Sequence, residues 1–348
     1  MKKRVLLGLS GWVDSAVSAY LLKKEWYEVV AWFMINYREP ENPNCTTKID
    51  KIEAKKVAEF LDIEFLEFDF VDKYSEKVLD YMYEGYRKGI TPNPDIMCNK
   101  EVKFKVFLQE AEKLGFDYIA MGHYAITKNW RLFKWVDENK DQSYFLAWLS
   151  NEQLKKSLFP IGHLEKKEVR KIAEKIWLPN AKRKDSQGIC FVWKVNIREF
   201  LEKKIKPKKG LVKDTSWNIL WEHKWVFYYT IGQRKWLDIW GQKEPIFIVK
   251  KDLEKNEIIV GTSKDLELYS FSLEMNNINF LNKDFEEKKE FEAKAKIRYR
   301  QKDQECKVKK IDKNNYKVEF RESQRAIASG QICAIYIWDE LVMSGVIK

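Results

Sequence analysis

Residues 5–15 read Val5-Leu6-Leu7-Gly8-Leu9-Ser10-Gly11-Trp12-Val13-Asp14-Ser15, a short apolar run that breaks into a turn of mostly small residues and opens a helical pattern. An apolar run of this length bounded by Gly and Ser reads as a buried strand, and residues 15–24 read as a helix. A loop between a strand end and a helix start aims main-chain N–H groups at the space beyond the strand, which suits an anion. Small side chains are needed there because a phosphate must approach the backbone. The loop lacks the Gly-Lys-Ser/Thr ending of the commonest phosphate loop. Read alone, it also serves as a plain strand-to-helix turn with no ligand.

Outward from that loop the pattern repeats. Residues 29–35 and 64–70 read as strands with an amphipathic helix over 48–61 between them. Strands that alternate with helices predict an α/β domain with a doubly wound parallel sheet and right-handed crossovers. Ligands of such sheets sit at the C-terminal strand ends. Residues 72–114 read as mostly helical, interrupted by Thr91-Pro92-Asn93-Pro94-Asp95, where two prolines force an extended loop. A strand at 118–121 runs into Gly122-His123-Tyr124, and helical patterns return at 151–158 and 166–176.

The pattern changes at Lys206-Pro207-Lys208-Lys209-Gly210, a linker-like stretch. Short alternating segments at 226–231, 246–250 and 258–260 predict a small β-rich central domain over 206–272. Period-two alternation at 293–299 and 316–320, with a turn at Asn314-Asn315, predicts a C-terminal antiparallel β-barrel over 273–348. The first domain then covers 1–205, and a chain of 348 residues fits such a division.

Composition narrows the function classes. The excess of 64 Lys and Arg over 53 Asp and Glu gives a net charge of +11, which suits a polyanionic partner but also an ordinary soluble surface. The longest apolar stretch is far short of a membrane span, so a cytoplasmic protein with no membrane association is expected. The cysteines, Cys45, Cys98, Cys190, Cys306 and Cys333, are odd in number and widely spaced, with only three His beside them. This disfavours a zinc site or a disulfide scaffold and predicts no protein-bound metal centre.

Glycine and tryptophan are both present 14 times. Gly is then about 4% of the chain where about 7% is usual, while the two together are about ordinary. Several Trp also occupy turn positions. Asn129-Trp130 sits where a hairpin carries Asn-Gly, and Ser216-Trp217-Asn218 is in similar company. Many or all of these positions are expected to be glycine in the native protein, through a codon that the source reads as glycine.

Two cysteines sit in chemically suggestive company. Cys98 follows the proline-rich loop in Asn93-Pro94-Asp95-Ile96-Met97-Cys98-Asn99-Lys100, beside a carboxylate that could move a proton and a lysine that favours thiolate. Cys190 lies in Asp185-Ser186-Gln187-Gly188-Ile189-Cys190-Phe191. On residue type alone, each reads more readily as a buried inert thiol than as a reactive one. Cys45, Cys306, Cys333, His163 and His223 read as structural or incidental.

The stretch Ser10-Gly11-Trp12-Val13-Asp14-Ser15 resembles the PP-loop motif Ser-Gly-Gly-x-Asp-Ser of enzymes that adenylate a carbonyl oxygen, with Trp12 at the second glycine. With Thr91 to Lys100, Gly122 to Tyr124, Lys140-Asp141-Gln142-Ser143-Tyr144-Phe145, Asp185 to Phe191, Tyr229-Thr230-Ile231-Gly232-Gln233-Arg234, Lys296 to Arg300 and Gly330-Gln331, the chain resembles the bacterial tRNA-specific 2-thiouridylase family over nearly its whole length. The Trp fall where that family has glycine, Trp225, Trp236, Trp240 and Trp338 among them.

The resemblance implies ATP and Mg²⁺ as cofactors, and tRNA and a persulfide sulfur-donor protein as partners of a chain that is otherwise monomeric. ATP adenylates O2 of the wobble uridine, position 34, and sulfur then replaces the adenylated oxygen. Gly8, Leu9, Ser10, Gly11, Trp12, Val13, Asp14, Ser15, Met34 and Gly122 are implied at the ATP site. Cys190 carries the persulfide, Cys98 releases its sulfur and ends in a disulfide with Cys190, and Asp95 is a general acid/base. Asn93, Pro94 and Asp95 touch the flipped base. His123, Lys140, Asp141, Gln142, Arg298, Tyr299 and Gln331 contact the tRNA. Two other readings stand beside this one: another PP-loop ligase, and a tRNA-binding protein disabled by Trp12.

Overall fold

The computed structural model describes residues 2–38, 46–137, 140–184, 197–202, 204–235, 237 and 244–348. Strand β1 (Arg4–Gly8) lies at the centre of a five-stranded sheet of order β3-β2-β1-β4-β7, formed with β2 (Glu28–Ile35), β3 (Glu64–Asp69), β4 (Tyr118–Ala120) and β7 (Ser157–Leu158). All of its neighbouring pairs are parallel. The apolar run is continuous because both faces are covered. Val5 and Leu7 pack with helices α1 (Val13–Lys24) and α2 (Thr47–Phe60) and with Val169 and Ala173 of the helix Lys166–Lys175. Leu6 faces the other way, toward Met82, Phe104 and Phe107 of the helical stretch between β3 and β4. The doubly wound parallel sheet expected from the alternation is therefore present.

Two local readings need correction. Residues 151–158 are not one helix: a capping box of Ser150 and Gln153 starts a helix that ends at Lys155, and Ser157–Leu158 joins β4 as the edge strand. Ser157 fixes the change of direction by donating its hydroxyl to the Gln153 carbonyl at 2.6 Å. Residues 226–231 are not a strand but contain a single 3-10 turn, Val226–Tyr228. A short apolar run fits either state by periodicity, and here Val226, Tyr228 and Tyr229 are all buried, which strict alternation does not allow.

The central domain holds β8 (Gly210–Asp214), β9 (Ile219–His223), β10 (Ile246–Asp252) and β11 (Glu257–Thr262) in the order β10-β11-β8-β9. The C-terminal strands are β12 (Tyr269–Phe280), β13 (Glu290–Lys296), β14 (Gln304–Lys310), β15 (Tyr316–Arg325), β16 (Ile332–Ile337) and β17 (Glu340–Ile347). They form the expected antiparallel barrel, closed by pairing of β12 with both β15 and β17. Cys306 and Cys333 are buried in its core.

A hairpin from the first domain extends this barrel. β6 (Arg131–Phe133) pairs with β17, and β5 (Ile126–Lys128) pairs with β6. Asn129 and Trp130 make its two-residue turn with φ of 51° and 60°, the pair of positive values that defines a type I′ turn. Behind the hairpin, buried Lys296 bridges Asp141 at 3.3 Å, and buried Lys134 bonds Asp303, so charges from both domains compensate one another.

Candidate active site

The loop after β1 is shaped by its own serines. Ser15 Oγ accepts from Ser10 N at 3.1 Å, lies 3.0 Å from Ser10 Oγ and donates to the Trp12 carbonyl at 3.0 Å. Trp12 is the N-cap of α1 and supplies no side-chain cap, which leaves the first N–H groups of the helix available to an anion. Above them lies a cavity of about 220 Å³. Of the residues implied at an ATP site, Gly8, Leu9, Ser10, Trp12, Asp14, Ser15, Met34 and Gly122 line it. Val13 is instead buried in the core, and Gly11 is buried against α2. Gly122 is required by close approach: a Cβ there would lie 2.8 Å from Ser15 N.

His123 and Gln142, expected at an RNA surface, also line this cavity. Gln142 Oε1 accepts from Tyr124 N at 2.9 Å. Burial, and then the nearby Lys103 charge, push the His123 imidazole well below its ordinary value, so it is neutral near pH 7. Lys103, Thr47 and Asp50 line the cavity without having been singled out in the sequence. Lys103 is the one cationic side chain among the described lining residues, and only its place five residues beyond Cys98 could have pointed to it.

The two carboxylates of the wall are engaged. Asp14 Oδ1 receives Lys166 Nζ at 2.6 Å and Tyr124 Oη at 2.6 Å. Asp50 accepts from Thr46 Oγ1 at 2.8 Å and pairs with Arg183, yet burial outweighs both and raises its pKa above the ordinary carboxylate value. The Trp12 indole lies under the Arg183 guanidinium, whose carbon is 3.7 Å from the ring centre. Ligand pockets usually enclose roughly 300–1,000 Å³, and an indole in the wall accounts for part of the shortfall.

The proline-rich turn and Cys98 form the neighbouring wall. Asn93 caps the helix Pro94–Met97 by accepting from Ile96 N at 3.2 Å, with Pro94 in the first turn, where its missing N–H costs nothing. Asp95 is half-buried, and Cys98 is fully buried at the head of the following helical segment, Cys98–Val106. Cys190 and Cys45 lie outside the described residues.

Three domains meet at this turn. Thr91 Oγ1 lies 3.1 Å from Thr230 Oγ1, Thr91 N donates to the Ser329 carbonyl at 2.7 Å, and Gln331 Nε2 donates to the Thr91 carbonyl at 2.9 Å. Gly330, with φ of 88°, lets the barrel rim close on the turn, since a Cβ would meet Ile90 and Thr91 at 2.9–3.0 Å. Arg298 is exposed nearby and donates to the Arg325 carbonyl at 2.8 Å, while the Tyr299 ring packs 4.4 Å from Phe145. Lys140 is half-buried.

Asp141 departs from expectation. It is 3% exposed and accepts from Trp135 N, Ser143 N and Ser143 Oγ at 3.0–3.1 Å besides pairing with Lys296. Its carboxylate holds the domain junction and presents no surface to an RNA. The sequence pattern gave its position but not that its partners lie inside.

Comparison with known proteins agrees with this architecture. Residues 3–194 match the model described as tRNA methyl transferase HUP domain, 198–262 its PRC-barrel domain, and 270–347 the aminomethyltransferase beta-barrel domain. The chain is 43% identical to the tRNA-specific 2-thiouridylase of Mycoplasma capricolum over 100% of its length and 98% of the relative's. It is 44% identical to that of Streptococcus thermophilus, covering 99% of this chain and 95% of the relative. The corresponding figures for Lysinibacillus sphaericus are 44%, 99% and 94%. With its three domains matched in order and relatives aligned end to end, the chain belongs to the tRNA-specific 2-thiouridylase family.

Proposed function

We propose that this protein is a tRNA-uridine 2-sulfurtransferase that uses ATP to replace O2 of the wobble uridine, position 34, with sulfur. The observation that carries the reading is the helical segment Cys98–Val106, which begins at a thiol and reaches the wall of the nucleotide cavity at Lys103. Cys98 and Lys103 stand about one turn apart on this segment of i→i+5 bonding, so nucleotide chemistry and sulfur chemistry share one helical element.

In this reading the ATP phosphates rest on the N–H groups at the start of α1, with Met34 and Gly122 beside the nucleoside. The uridine O2 attacks the α-phosphorus, the bond to the β-phosphate oxygen breaks and pyrophosphate leaves. C2 is then electrophilic. The terminal sulfur of a Cys190 persulfide, received from a donor protein, bonds to C2 while AMP departs with the former O2. Cys98 Sγ attacks the Cys190 sulfur to free the transferred sulfur, and the resulting disulfide needs a reductant before the next turnover. Asp95, half-buried at the mouth of the turn, exchanges the proton. Mg²⁺ would be held chiefly by the ATP phosphates, with the Asp14 carboxylate oxygen not taken by Lys166 and Tyr124 as the protein's contribution, and would supply counter-charge for the departing pyrophosphate. Asn93, Pro94 and Asp95 meet the extruded base, and Arg298, Tyr299, Lys140 and Gln331 hold the tRNA. A cytoplasmic monomer is consistent with the chemistry, and no helix among the described residues is long and apolar enough to cross a membrane.

The test is reconstitution with tRNA lacking the modification, ATP, Mg²⁺ and a persulfide donor. The expected products are 2-thiouridine, AMP and pyrophosphate. AMP formation that does not depend on tRNA, or thiolation unaffected by Cys98→Ser and Cys190→Ser, overturns the proposal.

A further inference from the structure

We propose that Asn180 and Arg183 are positioning residues for the anion-binding loop, holding the Gly11 carbonyl so that the next peptide N–H faces the nucleotide. This rests on the reading of the cavity as an ATP site. Asn180 Nδ2 donates to the Gly11 carbonyl at 2.9 Å and Arg183 Nη1 donates to the same oxygen at 3.0 Å. In a trans peptide the C=O and N–H point in opposite directions. Two donors on the Gly11 oxygen therefore set the direction of the residue-12 N–H. Ser10 and Trp12 line the cavity while Gly11 between them does not, as that orientation requires.

The loop cannot evade this restraint. Gly11 has φ of +79°, and a Cβ there would lie 2.3 Å from the Asp50 carbonyl oxygen. Arg183 is itself held by Asp50, and Asn180 is 2% exposed. The segment carrying both donors is tied down in turn: Arg170 donates to the Ala181 carbonyl at 3.0 Å and to the Arg183 carbonyl at 2.5 Å. Arg170 lies on the helix Lys166–Lys175, whose first residue holds Asp14 at 2.6 Å. One helix thus braces the loop from both sides, and preorganised N–H groups are what an anion site needs.

The test compares binding of ATP and of adenosine to the full chain carrying Trp12→Gly, alone and with Asn180→Leu, Arg183→Met or Arg183→Lys. Asn180→Leu and Arg183→Met are each expected to weaken ATP about tenfold, the worth of one such bond, and to leave adenosine unchanged. Arg183→Lys is expected to restore part of the loss. Equal losses for ATP and adenosine, or none for ATP, overturn the proposal. Failure of the parent chain to bind ATP instead overturns the reading of the cavity.

A second inference rests on backbone geometry alone. We infer that the working protein carries glycine at positions 26, 130, 177, 217 and 338. Among the described residues, eleven non-glycine residues have positive φ, and five of them are Trp26, Trp130, Trp177, Trp217 and Trp338. Only Asn, Asp and Gly adopt that region readily. All five side chains are at least 60% exposed, so no packing holds them there.

The helix ends provide an internal control. Gly89 and Gly115 each follow a helix with positive φ and donate to a carbonyl three residues back, while the next residue donates five back. Trp26 and Trp177 close their helices with the same pair of bonds. This is the motif in which glycine is the usual residue. Peptide masses of the protein from its natural source decide the matter. Glycine masses at these positions are expected, and tryptophan there overturns the inference. Replacing the five by glycine in the recombinant chain should raise the unfolding midpoint by roughly 4 °C or more; an unchanged midpoint overturns the backbone argument.

Discussion

Asn93 Nδ2 donates to Gln331 Oε1 at 3.4 Å across 238 residues of sequence, so the turn ahead of Cys98 and the rim of the C-terminal barrel form one surface. Gln331 also donates to the carbonyls of Thr91 and Pro92, at 2.9 and 3.4 Å. Gln331→Leu should therefore loosen the turn that meets the base while leaving the nucleotide cavity intact. We expect the KM for tRNA to rise on the order of tenfold, the worth of one or two such bonds, with ATP binding unchanged. Equal tRNA affinities for the variant and its parent would refute this role.

The connection between these two residues shows what sequence could and could not provide. The loop Ser10 to Ser15 and the turn Thr91 to Asp95 were legible because Gly, Pro and Asn restrict the backbone locally. The parallel sheet was legible because its central strands β1 and β2 are continuous apolar runs buried on both faces. By contrast, Asn180, Arg183 and Lys103 act through contacts set by tertiary packing and carry no local signature. Asp141 and Lys140 look alike in a polar stretch, yet only Asp141 turns inward to Lys296. The hairpin at Asn129 was readable from its turn residues, whereas its pairing with β17 was not.

Lys103 should govern the charge balance of the cavity. Removing its charge in Lys103→Met is expected to weaken ATP binding or slow AMP formation by about tenfold to a hundredfold, the range for a hydrogen bond to a charged group. Lys103→Arg should keep most of the activity. Because the Lys103 charge helps hold the His123 imidazole neutral, the methionine variant should also raise the His123 titration midpoint, as followed by NMR. A midpoint that does not move would separate the two residues.

Cys98 is fully buried, so its replacement tests chemistry and packing together. Cys98→Ser should abolish sulfur incorporation while tRNA-dependent pyrophosphate release continues, since the adenylation step uses no thiol. Burying the hydroxyl should cost about 1–3 kcal/mol of stability, visible as a lower midpoint in denaturant. Cys98→Ala, which buries no polar group, should show the same catalytic split with a smaller loss. Persistent thiolation in both variants would remove Cys98 from the reaction.

Trp12→Gly should open the cavity. The indole stands in the wall with Arg183 above it, and removing it frees the space it fills while Arg183 stays held by Asp50 and the Gly11 carbonyl. ATP affinity by titration calorimetry is expected to rise tenfold or more, with about 1.4 kcal/mol per factor of ten. A chain that binds and turns over ATP normally with Trp12 in place would show that the phosphates reach the helix start by another path.

Acid should destabilise the central domain through His223. This residue is 3% exposed, its Nε2 lies 3.1 Å from the Asn256 carbonyl, and its Nδ1 has no partner among the described residues. Burial lowers its pKa from 6.5 to about 4, the contact with Asn256 opposing the shift only in part. The folded state therefore binds fewer protons than the unfolded state between these values, and stability rises with pH across that window. Conversely, as pH falls from about 6.5 to about 4, this one group should cost on the order of 3 kcal/mol, at about 1.4 kcal/mol per unit. Denaturant unfolding at pH 7 and pH 4.5 measures the loss. His223→Gln, which keeps a donor for Asn256 but cannot take up a proton, should flatten the acid limb relative to the parent chain; an identical pH profile would place the sensitivity elsewhere.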